Sequence, residues 1–271
     1  MRLPDKDELA ELVNASGLAL QLKVEHALKH NIDHAWRVVS REHPWSLGDD
    51  LGFVDLVLAS DVASCVVECT QARDSSWIFI VPKEADGKRT GMRVSWLSGK
   101  KFPQITSGCG NVDLLPFSYD ASFCVTRGTV ATDRTLLERT CSRLLRSCDA
   151  LATQEIKILS AMQQSYGGYY IPLIVTTAAL YACKLDPETV SFDDGSMSNP
   201  EVETVPYIRF TKAFSAASMV TSTATPASLE ELAEQEARTV VIVNANHVVD
   251  FLTAVQQPDF AKALPWDTIR P

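Results

Sequence analysis

Two carboxylates stand where apolar side chains are expected. Phe53-Val54-Asp55-Leu56-Val57-Leu58 and Cys65-Val66-Val67-Glu68-Cys69-Thr70 read as two strands, each with one acid in an otherwise apolar run. Side chains alternate faces with period two, which groups Asp55 with Phe53 and Val57, and Glu68 with Val66 and Thr70. If Ser60–Ala63 is the tip of a hairpin, Asp55 lies directly opposite Glu68. Two like charges about 5 Å apart repel, and burial raises the cost. A hard divalent cation between them removes it, because such ions take oxygen ligands. Protonation of one carboxyl, or an arginine arriving from elsewhere, would serve equally. Spacing leaves all three open.

The elements that must hold this pair follow from hydrophobic period. Residues 7–31 carry apolar side chains at helical spacing with a break near Ser16-Gly17, and Trp36–Ser40 is a short strand before a loop at 44–50. Trp77–Val81 reads as a continuation of the Glu68 strand and Met92–Leu97 as another strand, while 98–131 is Gly-, Ser- and Pro-rich and expected to be irregular apart from Ser122–Thr126. The longest helical pattern runs from Thr132-Asp133 to about Gln164. Ile171–Lys184 reads as one buried strand, Pro206–Lys212 and Val240–Asn244 as two more, with helices at 228–237 and His247–Val255. The expectation is an α/β fold, a mixed sheet flanked by helices. Residues 1–212 form its core, and 213–271 a strand–helix extension packed on the same domain.

Composition excludes several classes. Apolar residues are 46% of 271 and charged residues 22%, so a packed core is available and wholesale disorder is not. The net charge of −9 argues against coating nucleic acid or an anionic membrane by bulk charge. It is uneven, however: residues 83–146 hold 11 Lys and Arg against 6 Asp and Glu. Seven cysteines at irregular spacing, with no CxxC pair, point to a reducing cytosol. The longest apolar run is too short to span a bilayer. Phosphate-loop, dinucleotide and HExxH signatures are absent. His26, His30 and His34 share a four-residue spacing, but the helix is expected to end before the third.

A helix with a Glu, a strand with an Asp, then a Glu closing a hydrophobic strand resembles the core of the PD-(D/E)xK nuclease superfamily. GFVDLVLASDVASCVVECTQARDSSWIFIVP is similar to the strand pair of restriction-endonuclease-like proteins, and the likeness extends over roughly residues 8–212. The resemblance implies Asp55 and Glu68 as ligands of Mg²⁺ or Mn²⁺, with the Cys69 carbonyl as a third oxygen. It implies Glu25 as the helix carboxylate, although an ordinary solvated helix charge explains that residue as well. The implied chemistry is phosphodiester hydrolysis, the metal activating water and stabilising charge on the leaving oxygen. One departure matters: the family lysine, two residues after Glu68, is here Thr70, which offers a hydroxyl and no charge. Lys83, Arg73 or Lys157 could supply the cation instead.

The implied partner is nucleic acid, DNA first. Arg139, Arg143 and Arg146 lie on one face of the long helix, with Arg134 a turn earlier, and Lys88 and Arg89 fall in the same basic window. A solvated helix face explains the same row. Two readings follow: a metal-dependent nuclease with an atypical site, in a restriction or phage-defence setting, or a nuclease-fold subunit that binds, senses or scaffolds without cleaving. A homodimer or a partner protein is compatible with either.

Overall fold

A computed structural model describes residues 5–32, 35–72, 75–83, 88–101, 104–127, 133–162, 166–214 and 228–255. The order is α1 (Lys6–Ala15), α2 (Leu18–Asn31), β1 (Arg37–Leu47), β2 (Asp50–Ala59), β3 (Ala63–Thr70), β4 (Ser76–Pro82), β5 (Lys88–Lys101), β6 (Gln104–Ala121) and β7 (Phe123–Arg127). There follow α3 (Asp133–Met162), β8 (Tyr166–Thr176), β9 (Ala179–Leu185), β10 (Glu201–Thr204), β11 (Tyr207–Ala213), α4 (Leu229–Glu236), β12 (Ala237–Asn244) and α5 (Val248–Ala254). Among the described residues no helix is long and apolar enough to cross a membrane.

The chain is a mixed α/β protein dominated by sheet. Eight strands run β1-β2-β3-β8-β12-β11-β6-β5, and four more form a second sheet, β10-β9-β4-β7. β1, β2 and β3 are an antiparallel meander, and β8 lies parallel to β3 from Ala63↔Tyr169 to Thr70↔Thr176. Parallel neighbours need a long crossover; here it runs through β4, β5, β6, β7 and α3. The other edge of β8 is shared, its first half pairing with β5 and its second with β12. The strands β8, β12, β11, β6 and β5 therefore close a circuit. The C-terminal strand β12 sits inside the large sheet, between β8 and β11.

Apolar side chains divide between the two faces. On one, Leu144, Leu145, Cys148 and Leu151 of α3 pack with Val57, Val66, Ile174 and the second sheet's Phe79. On the other, Val24 and Leu28 of α2 and Phe251 of α5 pack with Leu56, Cys65 and Val67.

Four expectations are corrected. The stretch from 98 onward is not irregular: β5 and β6 form a long hairpin, and Arg209 of β11 ties down residues 114–118 of β6. That buried guanidinium donates to the carbonyls of Pro116 (3.1 Å) and Leu114 and to Ser118 Oγ. Burial pulls its pKa down to about 10. Residues 171–184 are two strands, not one. Thr176 Oγ1 accepts from the Ala178 amide at 3.1 Å and Thr177 Oγ1 from the Ala72 amide at 2.9 Å. Hydroxyls thus satisfy the backbone where the chain leaves one sheet for the other. β4 belongs to that second sheet and is not a continuation of β3. The expected loop at 44–50 is instead mostly strand, with Pro44 in β1, the edge strand of the large sheet, where proline is tolerated.

Candidate functional site

The β2–β3 register is the expected one. Leu56 faces Val67, Val57 faces Val66, Leu58 faces Cys65 and Ala59 faces Ser64; the pairing ends at Leu56↔Val67, and Asp55 and Glu68 are the residues just beyond it on the two strands. The turn is closed by the Ser60 amide donating to the Ala63 carbonyl at 2.8 Å. Glu68 is 7% exposed. Its Oε1 pairs with Arg143 of α3, and its Oε2 is buried with no hydrogen-bond partner. Asp55 Oδ2 accepts from the Cys69 amide at 2.6 Å. Burial raises the Asp55 carboxyl above its ordinary range. The Cys69 amide counters this, the charge of Glu42 adds to it, and Arg143 opposes it. Arg143 thus pairs with Glu68 and also lowers the Asp55 carboxyl.

Strand alternation is imperfect at Asp55. Val54 and Val57 pack on the α3 side, Leu56 and Leu58 on the α2 side, so the strand steps between faces within residues 54–57. Phe53, expected to share a face with Asp55, is exposed. Opposite the step, Glu42 of β1 has a positive φ of 46°, in the left-handed region few non-glycine residues occupy. Gln21 of α2 ties the step down, donating to Glu42 Oε1 at 2.7 Å and to the Asp55 carbonyl at 3.0 Å.

Glu25 is not a solvated helix charge. It is 5% exposed and pairs with Lys29 at 2.5 Å and Arg41 at 3.3 Å. It lies on the α2 face, whereas Glu68 points to α3. A signal for this burial was present: Gln21, Val24, Glu25 and Leu28 fall on one helical stripe, and all four are buried. Glu42 and Arg41 carried no such signal, because their roles depend on a local backbone bend.

Thr70 is half-buried beside Thr176, and its carbonyl accepts from the Thr177 amide at 3.3 Å. The cation beside Glu68 is Arg143, which no sequence spacing tied to it. Lys83, one alternative source, is instead paired with Asp186 at 3.0 Å. Cys69 is half-buried, and burial raises its thiol far above the ordinary value, so it stays neutral.

The arginine row is partly engaged by acids. Arg143 holds Glu68 and Arg146 holds Asp50. Arg139 is exposed, and the Arg134 side chain lies outside the described residues. Lys88 sits 3.9 Å from Glu203 and over the Tyr119 ring, while the charge of Arg89 bears on Asp120. The His26 and His30 rings stack at 4.1 Å, α2 ends at Asn31 as read, and His34 lies outside the described residues. Among the described residues no three His, Cys, Asp or Glu side chains converge as a metal site.

Fold and site together define a mixed α/β protein whose β2–β3 hairpin carries two partly buried carboxylates, Asp55 and Glu68, under an arginine of α3. No protein-family model matches the chain, and no curated protein or solved structure does either.

Proposed function

We propose that the chain is a restriction-endonuclease-like protein of the PD-(D/E)xK type, hydrolysing phosphodiester bonds in DNA with Mg²⁺ or Mn²⁺. The observation that carries this reading is Glu68: buried, and satisfied at only one of its two oxygens. That donor set fits a hard divalent cation, Asp55 and Glu68 supplying carboxylate oxygens and Cys69 its carbonyl. When bound, the metal would activate water and stabilise charge on the leaving oxygen. The order Asp strand, Glu strand supports the assignment, as does a mixed sheet with helices on both faces.

Arg143 takes over the charge of the missing lysine. Its side chain is 54% exposed, so a DNA phosphate at α3 competes with Glu68 for the guanidinium. Moving onto the phosphate, Arg143 uncovers the carboxylate. The second reading, binding without cleavage, draws on the same contacts: Glu68 already has its cation and Asp55 its amide donor.

Incubation of single- and double-stranded DNA and RNA with Mg²⁺ or Mn²⁺ separates the two. Cleavage by the wild-type chain that falls roughly 10²- to 10³-fold in both Asp55→Ala and Glu68→Ala is the expected result. DNA binding in EDTA without any cleavage would instead establish the scaffold.

A further inference from the structure

A crevice of about 390 Å³ opens where the chain passes from the large sheet to the second one. β6 ends at Ala121 in the first, and β7 begins at Phe123 in the other, paired with β4 at Ile80↔Phe123. β4 and β9 run parallel as far as Pro82↔Leu185, and the Lys83 amide donates to the Leu185 carbonyl at 3.0 Å, which fixes that wall. Ile80, Val81, Pro82, Leu185 and Phe123 make the lining largely apolar. Small-molecule sites have this character, roughly 300–1,000 Å³ of apolar surface with a few convergent polar groups.

The charged groups of the lining are Lys83, Arg89 and Asp120. Lys83 is already paired with Asp186 at 3.0 Å. Asp120 accepts from the Thr211 hydroxyl, but its Oδ1 is buried with no hydrogen-bond partner. Arg89 is exposed and close enough for its charge to act on Asp120, yet it donates nothing to Oδ1. Arg209, the other cation acting on Asp120, spends Nη1 and Nη2 on the carbonyls of Pro116 and Leu114 and on Ser118. Burial accordingly wins, and raises the Asp120 carboxyl above its ordinary range. Beside its apolar walls the crevice thus holds one negative and one positive group that are neighbours but not joined. A matching ligand carries an ammonium and a carboxylate close together on an apolar body. An α-amino acid has both on one carbon, and a guanidinium fork takes a carboxylate bidentately. A fatty acid or an apolar amine would satisfy one group and leave the other unpaired.

We propose that this crevice binds a free α-amino acid with a large apolar side chain, its ammonium on Asp120 and its carboxylate on Arg89. No lining residue belongs to the β2–β3 hairpin or to α3, so the inference is independent of the nuclease reading. Titration calorimetry of the full chain with L-phenylalanine, phenethylamine and hydrocinnamate tests it. L-phenylalanine should bind, and each analogue, lacking one charged pole, should bind roughly tenfold or more weakly. Arg89→Gln should weaken L-phenylalanine by a similar factor. Asp120→Asn should weaken L-phenylalanine while strengthening hydrocinnamate, because it removes a carboxylate that repels the anion; a merely damaged fold would weaken both. The proposal is overturned if L-phenylalanine, L-leucine and L-tryptophan all fail to bind at millimolar concentration. It is overturned equally if hydrocinnamate binds as well as L-phenylalanine, or if Arg89→Gln and Asp120→Asn leave the affinity unchanged.

Discussion

Two buried carboxylates flank the same meander and are treated differently. Glu25, on the α2 face, has two cations, Lys29 and Arg41, both supplied from nearby in sequence. Glu68, on the α3 face, has one, Arg143, brought from 75 positions away by a helix, and keeps an oxygen unpartnered. Glu68 has a second acid, Asp55, just beyond the paired register on the neighbouring strand. A fully compensated charge is a structural lock. An under-compensated one beside another acid is a place where a cation or a phosphate can change the balance.

Removing the cations tests whether Glu25 is such a lock. Lys29→Ala with Arg41→Ala strands a carboxylate that is almost fully buried, and breaking a buried pair in this way costs about 3 kcal/mol. Denaturant melts should show that loss unchanged by millimolar Mg²⁺, since no other carboxylate is paired with Glu25 to complete a metal site. Recovery by Mg²⁺ would erase the distinction between the two faces.

Arg143→Ala is the matching experiment on Glu68. In EDTA the variant should melt below the wild type. Added Mg²⁺ or Mn²⁺ should return roughly 1–3 kcal/mol, the linkage expected when an ion binds only the native state well above its Kd. Titration calorimetry should give the variant about tenfold tighter Mn²⁺ binding than the wild type without DNA, and DNA should narrow that gap. Equal Mn²⁺ affinity in both proteins would show that Arg143 does not guard the site.

What was legible in the sequence follows the range of each interaction. The β2–β3 register was readable because both strands are apolar on both faces and joined by a short turn, so hardly any other pairing buries them. The helical stripe holding Gln21, Val24, Glu25 and Leu28 was equally local, and the burial of Glu25 could have been read from it. The partner of Glu68 could not, since nothing within β3 points to residue 143. The β5–β6 hairpin was hidden for a related reason. Its glycines, serines and prolines disfavour strand locally, and it becomes sheet through pairing with β8 and β11 and the bonds of Arg209. The closed circuit of strands is a property of the whole chain and has no local signature.

The smallest effect lies between the two faces, at Asp55. Burial raises its carboxyl above the ordinary value, so the folded chain holds that proton more tightly than the unfolded chain does. Where a group binds more protons folded than unfolded, stability falls as pH rises. The loss begins near the ordinary carboxyl value and is complete above the raised one, leaving an ionised Asp55 that costs stability at neutral pH. Asn can still accept from the Cys69 amide but carries no charge. Asp55→Asn should therefore melt slightly above the wild type at pH 7, and the difference should shrink as pH falls through the carboxylate range. Saturating Mg²⁺ should reverse the order at pH 7, because only the ionised wild-type site holds the ion. If Asp55→Asn is less stable than the wild type at neutral pH without metal, the carboxylate belongs with Glu25 as a compensated charge, and the contrast between the faces rests on Glu68 alone.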